Sequence, residues 1–292
     1  MPNLLFIHAL SPLHAGTGTA VGAVDLPIAR DKATGIPYVP GSSVKGSLRA
    51  RAQELSVPDV FKVFGPDRPN ASDHAGALVV GDANLLLLPV RSLAGTFAYV
   101  TSPFLLQRFA RDAKEAGLLT AIPVPIPADD QKCSLAAPSW LELSGKVILE
   151  ELDFTREAAQ NQAAGALAQA LAPLLFPRDE DAAWRDGLCK RLCVVHDDVM
   201  AYLSEHATDV VAHIALDPNT KTVDSTTGAL WYEESLPTES ILVSLVAVMN
   251  NGQINPADVV TRVRGLLEVP IQLGGGATVG QGRCRLVLGG GK

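Results

Sequence analysis

Asp25 is the side chain best suited to do chemistry. It lies in a glycine-rich stretch with Thr17, Thr19 and Arg30 close by in sequence. A carboxylate in such a loop can accept a proton or reach an aquated divalent cation; it can equally be a turn or capping residue. His14 opens the same stretch, in His14-Ala-Gly-Thr-Gly18. Imidazole changes charge near neutral pH, which suits a general acid or base, although a hydrogen-bonded loop histidine reads the same way. Two more acids and two aromatics stand together in Trp231-Tyr232-Glu233-Glu234. A hairpin bearing them could project from the body and wedge between stacked bases; a strand with one core face is the alternative.

Basic residues and glycines flank this chemistry. Residues 28–51 hold Arg30, Lys32, Lys45, Arg49 and Arg51 against Asp31 alone, a local balance of +4 in a chain of net charge −7. The acidic total disfavours a protein that binds any nucleic acid by charge alone. A basic patch on an acidic body fits one defined anionic site, or a mixed solvated surface. Lys45 and Arg49 are four apart and share one face of a helix, and a helix starting beside Gly41 has amide groups free to meet an anion. A second glycine run, Gly274-Gly-Gly-Ala-Thr-Val-Gly-Gln-Gly282, follows a strand, as a dinucleotide loop would. The next element, Arg283-Cys-Arg-Leu-Val-Leu288, is a strand pattern and not a helix, so the dinucleotide reading fails. Without Gly-Lys-Ser or Gly-Lys-Thr it is no Walker loop. Backbone able to approach phosphates remains, or a bulged hairpin. Two such loops suit a long phosphodiester chain better than a small dinucleotide.

The remaining motifs are weaker. Cys189-x3-Cys193-x2-His196 has neither a fourth ligand nor the Cys-x2-Cys knuckle of a zinc site, so buried thiols on one helix face are expected. Asp82, in Val79-Val-Gly-Asp-Ala83, reads as a structural hydrogen-bonding group. No nucleophile elbow, His-Glu-x-x-His or kinase set occurs.

These residues need a frame. The chain has 292 residues, 47% hydrophobic and 19% charged, enough for one large globular domain or two small ones. Its four cysteines are not spaced as a secreted disulfide framework, which fits reduced thiols in a cytoplasm. The start has no basic n-region with a long apolar run, so no signal peptide is expected, and no apolar segment is long enough to span a membrane. Apolar runs predict strands near residues 4–10, 77–90 (one strand or two), 96–100, 146–154, 194–195, 210–216, 229–234, 241–248, 271–273 and 283–288. Helices are predicted from a Ser42 or Ser43 cap to about Gln53, from Pro103 to about Ala116, and from beyond Thr155 to about Ala172. Others are predicted over about 180–190, from Asp197 to His206, and from Pro256 to Leu267. Residues 11–40 read mostly as loop and 121–140 as an irregular proline-rich insertion. Without regular βα alternation, the class is α+β with an antiparallel sheet, and a ferredoxin-like core with long insertions is the expected architecture.

Set in order, several runs resemble those of RAMP proteins, most closely the crRNA-binding backbone subunits of type III-B CRISPR (Cmr) effector complexes. They are His8-Ala-Leu-Ser-Pro-Leu-His14-Ala-Gly-Thr-Gly18, Val24-Asp-Leu-Pro-Ile-Ala-Arg30 and Ile36-Pro-Tyr-Val-Pro-Gly-Ser-Ser-Val-Lys-Gly-Ser-Leu-Arg49. Further along come Pro89-Val-Arg-Ser-Leu-Ala-Gly95, Tyr99-Val-Thr-Ser-Pro103, Leu230-Trp-Tyr-Glu-Glu234 and Ile271-Gln-Leu-Gly-Gly with Gly280-Gln-Gly282. Each is weak alone; the ordered set is specific, and residues 121–205 carry little of it.

The resemblance implies one RAMP domain over 1–292, with an RRM-like palm and an irregular finger region. It also implies insertions at about 15–40 and 121–140 and a thumb hairpin at about 209–240. It implies copies stacked head to tail on a crRNA with other Cmr subunits, in antiviral defence, with no membrane. Target RNA would be cut beside each thumb in a reaction needing a divalent cation, Mg²⁺ or Mn²⁺. By position, Asp25 would be catalytic, with His14, Tyr232, Glu233 and Glu234 as its neighbours. Arg30, Lys45, Arg49, Arg91, Gly274, Gly275, Gly276, Gly280 and Gly282 would face the guide. Gln281 stands where relatives often have lysine. The alternatives are a non-catalytic guide-binding subunit and a stand-alone RAMP endonuclease that processes precursor RNA without metal.

Overall fold

The computed structural model describes residues 2–18, 24–67, 74–119, 121–215, 220 and 230–289. Its first strand, Asn3–Ala9, is buried along its whole length. Successive side chains of a strand point to opposite faces, and here both faces are covered. Leu5, Ile7 and Ala9 pack with Val44, Leu48 and Ala52 of helix Gly41–Glu54 and with Val259 and Val263 of helix Pro256–Leu266. Leu4 and Phe6 pack with Leu106 and Phe109 of helix Pro103–Glu115 and with Leu167 and Leu171 of helix Asn161–Leu175. A strand covered on both faces reads as a continuous apolar run rather than an alternation.

Asn3–Ala9 lies between two antiparallel neighbours, Ile241–Val248 and Arg283–Gly289. Ile241–Val248 in turn pairs antiparallel with Ala83–Arg91. The sheet continues through Phe97–Thr101, then Leu192–Val194 in parallel, and on through shorter strands to a total of thirteen among the described residues. The protein is thus mixed α+β. Asp209–Ile214 and Leu230–Ser235 stand apart from this sheet as a two-stranded antiparallel unit, with Ala212 opposite Tyr232. Most of the turn between them lies outside the described residues. No helix among the described residues is long and apolar enough to cross a membrane.

Three local expectations are corrected. Neither Ser42 nor Ser43 caps the basic helix. It starts at Gly41, whose amide donates to Asp82 Oδ1 at 2.8 Å, so a carboxylate distant in sequence does the work expected of a local serine. The 121–140 segment contains strand Lys132–Leu135, which forms because Leu192–Val194 and Leu152–Arg156 pair with its two edges. The single strand expected over 146–154 is a hairpin, Lys146–Leu149 with Leu152–Arg156.

Candidate active site

Residues 24–30 run alongside hairpin strand Leu230–Ser235. The Leu26 amide donates to the Tyr232 carbonyl and the Glu234 amide to the Leu26 carbonyl, both at 3.0 Å. That register carries Asp25 to the hairpin root, where its Oδ2 accepts the Tyr232 amide at 2.8 Å. The side chain is exposed, and its second oxygen has no protein donor among the described residues. Further along the same edge, Leu13 and Leu236 exchange backbone hydrogen bonds at 2.9 and 3.0 Å. His14 is thereby placed so that its Nδ1 donates to the Glu234 carbonyl at 2.6 Å. Asp25 and His14 are brought together on one strand.

Tyr232 and Glu233 point to opposite faces of that strand. Tyr232 is 40% exposed, as are Val210, Ile214 and Leu230 to similar or greater degree. Glu233 shares its face with His213, whose Nε2 is 4.0 Å from Glu233 Oε2.

Arg30 and Glu234 are placed otherwise than the sequence suggests. Glu234 is 5% exposed. Its carboxylate accepts the Ile28 amide at 3.1 Å, the Thr208 hydroxyl at 2.9 Å and the Arg30 guanidinium. Arg30 also donates to the carbonyls of Gly35 at 2.7 Å and Ser204 at 3.0 Å. Both charges turn inward, because a carboxylate this buried is tolerable only with its cation and donors in place. Together they tie the 24–30 segment to the hairpin and to helix Asp197–His206.

The second glycine loop reaches the same place. The Gly275 amide donates to the His14 carbonyl at 2.8 Å and the Gly282 amide to the Pro12 carbonyl at 2.7 Å. Gly274 has φ +71°, and a Cβ there would stand 2.1 Å from the His14 carbonyl oxygen, so only glycine fits. Gly276 and Gly280 bracket the short turn Ala277–Val279. Between the two loops opens a cleft of about 390 Å³, lined by His14, Gly16, Gly18, Gly274, Gly275, Ser43 and Ser47 among others. Ser43 and Ser47 are functional candidates that the sequence reading missed; their four-residue spacing on the basic helix was the available signal.

The expected cations differ in availability. Lys45 is half-buried, with no hydrogen-bonding or ion-pair partner among the described residues, and burial, followed by the charge of Arg49, holds its pKa below the usual lysine value. Arg49 instead donates to the Pro66 carbonyl at 3.1 Å and to Asp67 at 2.7 Å, and lies over the Phe61 ring. Arg91 is exposed, pairs with Glu150 at 3.1 Å, and does not line the cleft. Cys189 and Cys193 do not share a helix: the helix ends at Arg191, and Cys193 sits in a strand against Cys133, which with burial raises its thiol pKa. His196 caps its helix by accepting the Asp198 amide. Among the described residues no three ligand-type side chains converge as a metal cluster.

An α+β sheet thus carries a projecting hairpin, with an exposed carboxylate and an imidazole at its root and a glycine- and serine-lined cleft beside them. Such a cleft has the backbone amides and hydroxyls to take an extended anionic chain. The chain belongs to the RAMP superfamily, whose model matches residues 6–285. It is 35% identical to the CRISPR system Cmr endoribonuclease Cmr4 of Pyrococcus furiosus, across 98% of this chain and 95% of that one. The crystal structure of oligomeric Cmr4 from Pyrococcus furiosus matches with a TM-score of 0.77 at 28% identity, covering 100% of this chain and 98% of that one. A type III-B Cmr-beta structure bound to cognate target RNA shares the fold, with a TM-score of 0.74 at 23% identity over 99% and 97% of the two chains.

Proposed function

We propose that this chain is a crRNA-binding backbone subunit of a Cmr effector complex and the endoribonuclease that cuts guide-complementary RNA within it. The observation that carries the reading is the anchoring of Asp25 and His14 to one hairpin strand, through the Tyr232 amide and the Glu234 carbonyl. The similarity to a named Cmr endoribonuclease over nearly the whole of both chains supports it. The strand order Arg283–Gly289, Asn3–Ala9, Ile241–Val248, Ala83–Arg91, with a helix in each crossover, supports a ferredoxin-like palm, with residues 209–240 as its thumb. Copies of the chain stack on the guide together with other Cmr subunits. Sequence is read by guide pairing, so the protein needs a backbone cleft more than base-reading side chains.

RNA brings its own nucleophile, the 2′-hydroxyl. A hairpin that unstacks one nucleotide lets that hydroxyl swing in line with its phosphate, and positioning supplies much of the rate. A carbonyl can only accept, so the His14 proton is on Nδ1 and its Nε2 lone pair is free to take the hydroxyl proton as the 2′-oxygen bonds to phosphorus; the P–O5′ bond breaks, leaving a 2′,3′-cyclic phosphate, and the departing 5′-oxygen takes a proton from water. Asp25 contributes negative charge beside the reacting phosphate. One exposed carboxylate oxygen fits a cation that keeps most of its waters, so Asp25 would hold Mg²⁺ or Mn²⁺, which when bound offsets charge on the phosphate. Ser43, Ser47 and the Gly274–Gly275 backbone line the cleft that holds the guide, and Lys45, on the other flank of the same helix, adds a charge outside that lining.

Cleavage mapping on guide-complementary RNA with the assembled complex, with and without EDTA, tests this. Regularly spaced cuts are expected, lost in Asp25→Asn while the complex still forms. Wild-type cutting by Asp25→Asn would overturn the catalytic role, and metal-free cutting of precursor RNA by the isolated chain would favour a processing enzyme.

A further inference from the structure

The two faces of the hairpin differ in chemistry. Residues directly opposite across an antiparallel pair share a face, so Val210, Ile214, Leu230 and Tyr232 form an exposed apolar side. The other side carries His213 opposite Trp231, their rings stacked with centroids 5.4 Å apart and planes 15° from parallel. Neither ring belongs to either hydrophobic core. Both rings are half-buried, so part of the stack faces solvent among the described residues. The next pair on that face toward the hairpin root is Val211–Glu233, and Glu233 is bridged to Leu26, the neighbour of Asp25. The Asp25 carboxylate itself is held by the Tyr232 amide, one residue from Trp231, so the aromatic shelf begins about 3.3 Å along the strand from the amide that holds it. A nucleotide whose phosphate lies at Asp25 can lay its base there.

We infer that His213 and Trp231 form a stacking shelf for one nucleobase of the target strand, the base displaced beside Asp25. This rests on the functional reading above and deepens it. Pulling a base out of a stack costs free energy that an aromatic surface returns. Every base has a π face, so a shelf accepts any sequence, as a subunit whose specificity comes from guide pairing requires. The shelf also holds the nucleotide in the turned-out conformation that exposes its 2′-hydroxyl to the His14 and Asp25 side.

The test uses the assembled complex carrying Asp25→Asn, so that the target stays intact, and targets with 2-aminopurine at successive positions. In the presence of Trp231, 2-aminopurine is quenched at regularly spaced positions. Trp231→Leu, which keeps a strand-compatible apolar side chain without a π face, brightens those positions several-fold, and Trp231→Phe keeps them dim. His213→Leu, which leaves the indole in place, brightens them part of the way. With Asp25 restored, Trp231→Leu slows cleavage about tenfold and Trp231→Phe does not. Equal fluorescence with and without the Trp231→Leu change, or equal effects of Trp231→Leu and Trp231→Phe, overturns the shelf. A wild-type complex that binds target but never cuts overturns the functional reading instead, and the fluorescence comparison then still decides the shelf.

Discussion

The His14 ring nitrogen Nδ1 lies 2.6 Å from the backbone carbonyl oxygen of Glu234. This contact closes a loop between the first glycine stretch and the hairpin root, and it fixes which ring nitrogen carries the proton. Nε2 is left with its lone pair free. Gly16 keeps it approachable, since a Cβ there would lie 2.4 Å from Nε2.

His14→Asn keeps a donor where Nδ1 was and removes Nε2. The expected outcome is a folded, assembling protein whose target cleavage falls by about 10²–10⁴, the range for losing a general base. His14→Gln, which places its amide nearer Nε2, breaks the tie to Glu234 and does not restore activity. Single-turnover cleavage and a thermal melt separate the two effects. Wild-type rates in His14→Asn would remove the base role.

Arg30 and Glu234 form a largely buried pair, with side chains 22% and 7% exposed. Arg30→Met leaves a buried carboxylate without its cation and is expected to destabilise the protein by about 3–5 kcal/mol. Adding Glu234→Leu should recover part of that loss. Because the guanidinium faces inward, guide binding by whatever fraction stays folded keeps the wild-type salt dependence. Denaturant unfolding and salt titrations read both. Unchanged stability in Arg30→Met would show that the pair holds nothing together.

How far these relationships can be read from sequence depends on their range. Helices Pro103–Glu115 and Pro256–Leu266 carry their own start signals, a proline in the first turn, and are legible to within a residue or so. Strand Asn3–Ala9 announces itself as an unbroken apolar run. Strand Lys132–Leu135 exists because Leu192–Val194 pairs with it on one edge and Leu152–Arg156 on the other, and no local pattern carries that. The same holds at the site. Types and spacing single out Asp25 and His14, but Glu234 is met by an arginine 204 residues away, and a conspicuous Arg in a basic run looks like an RNA contact until its partner is known. Asp82 takes the Gly41 amide for a similar reason: the chain brings the 79–82 turn to the helix start, and the carboxylate outcompetes the local serines.

Lys45 and Arg49 look equivalent in sequence and differ in the fold. Lys45→Ala is expected to weaken guide binding and lower the slope of log affinity against log salt by about 0.7, the value for one lost phosphate contact on a single strand. Arg49→Ala should act mainly on stability, through its lost contacts to Asp67 and the Pro66 carbonyl. Burial holds Lys45 below the ordinary lysine value of 10.5, so the free protein gives up this proton at lower pH than an exposed lysine would. Phosphate binds the charged form. Guide affinity should therefore fall as pH rises toward 10.5, and this alkaline loss should be smaller in Lys45→Ala. Binding measured over a pH series checks the sign; an affinity indifferent to Lys45 would remove it from the guide surface.

Gly274 and Gly280 both have positive φ, +71° and +82°, yet substitution should not cost the same. Alanine in the left-handed region costs about 1–2 kcal/mol in either position. At Gly280 a Cβ meets nothing within 4 Å, so Gly280→Ala should cost no more than that. At Gly274 the Cβ would overlap the His14 carbonyl oxygen, and the loop must move away from His14. That movement breaks the Gly275 amide contact and opens the cleft at the imidazole. Gly274→Ala is therefore expected to lose more stability than Gly280→Ala and to lower both guide affinity and cleavage, whereas Gly280→Ala leaves cleavage near wild type. Parallel thermal melts and cleavage assays decide it. Equal losses in the two variants would mean that the contact between the glycine loops does not organise the site.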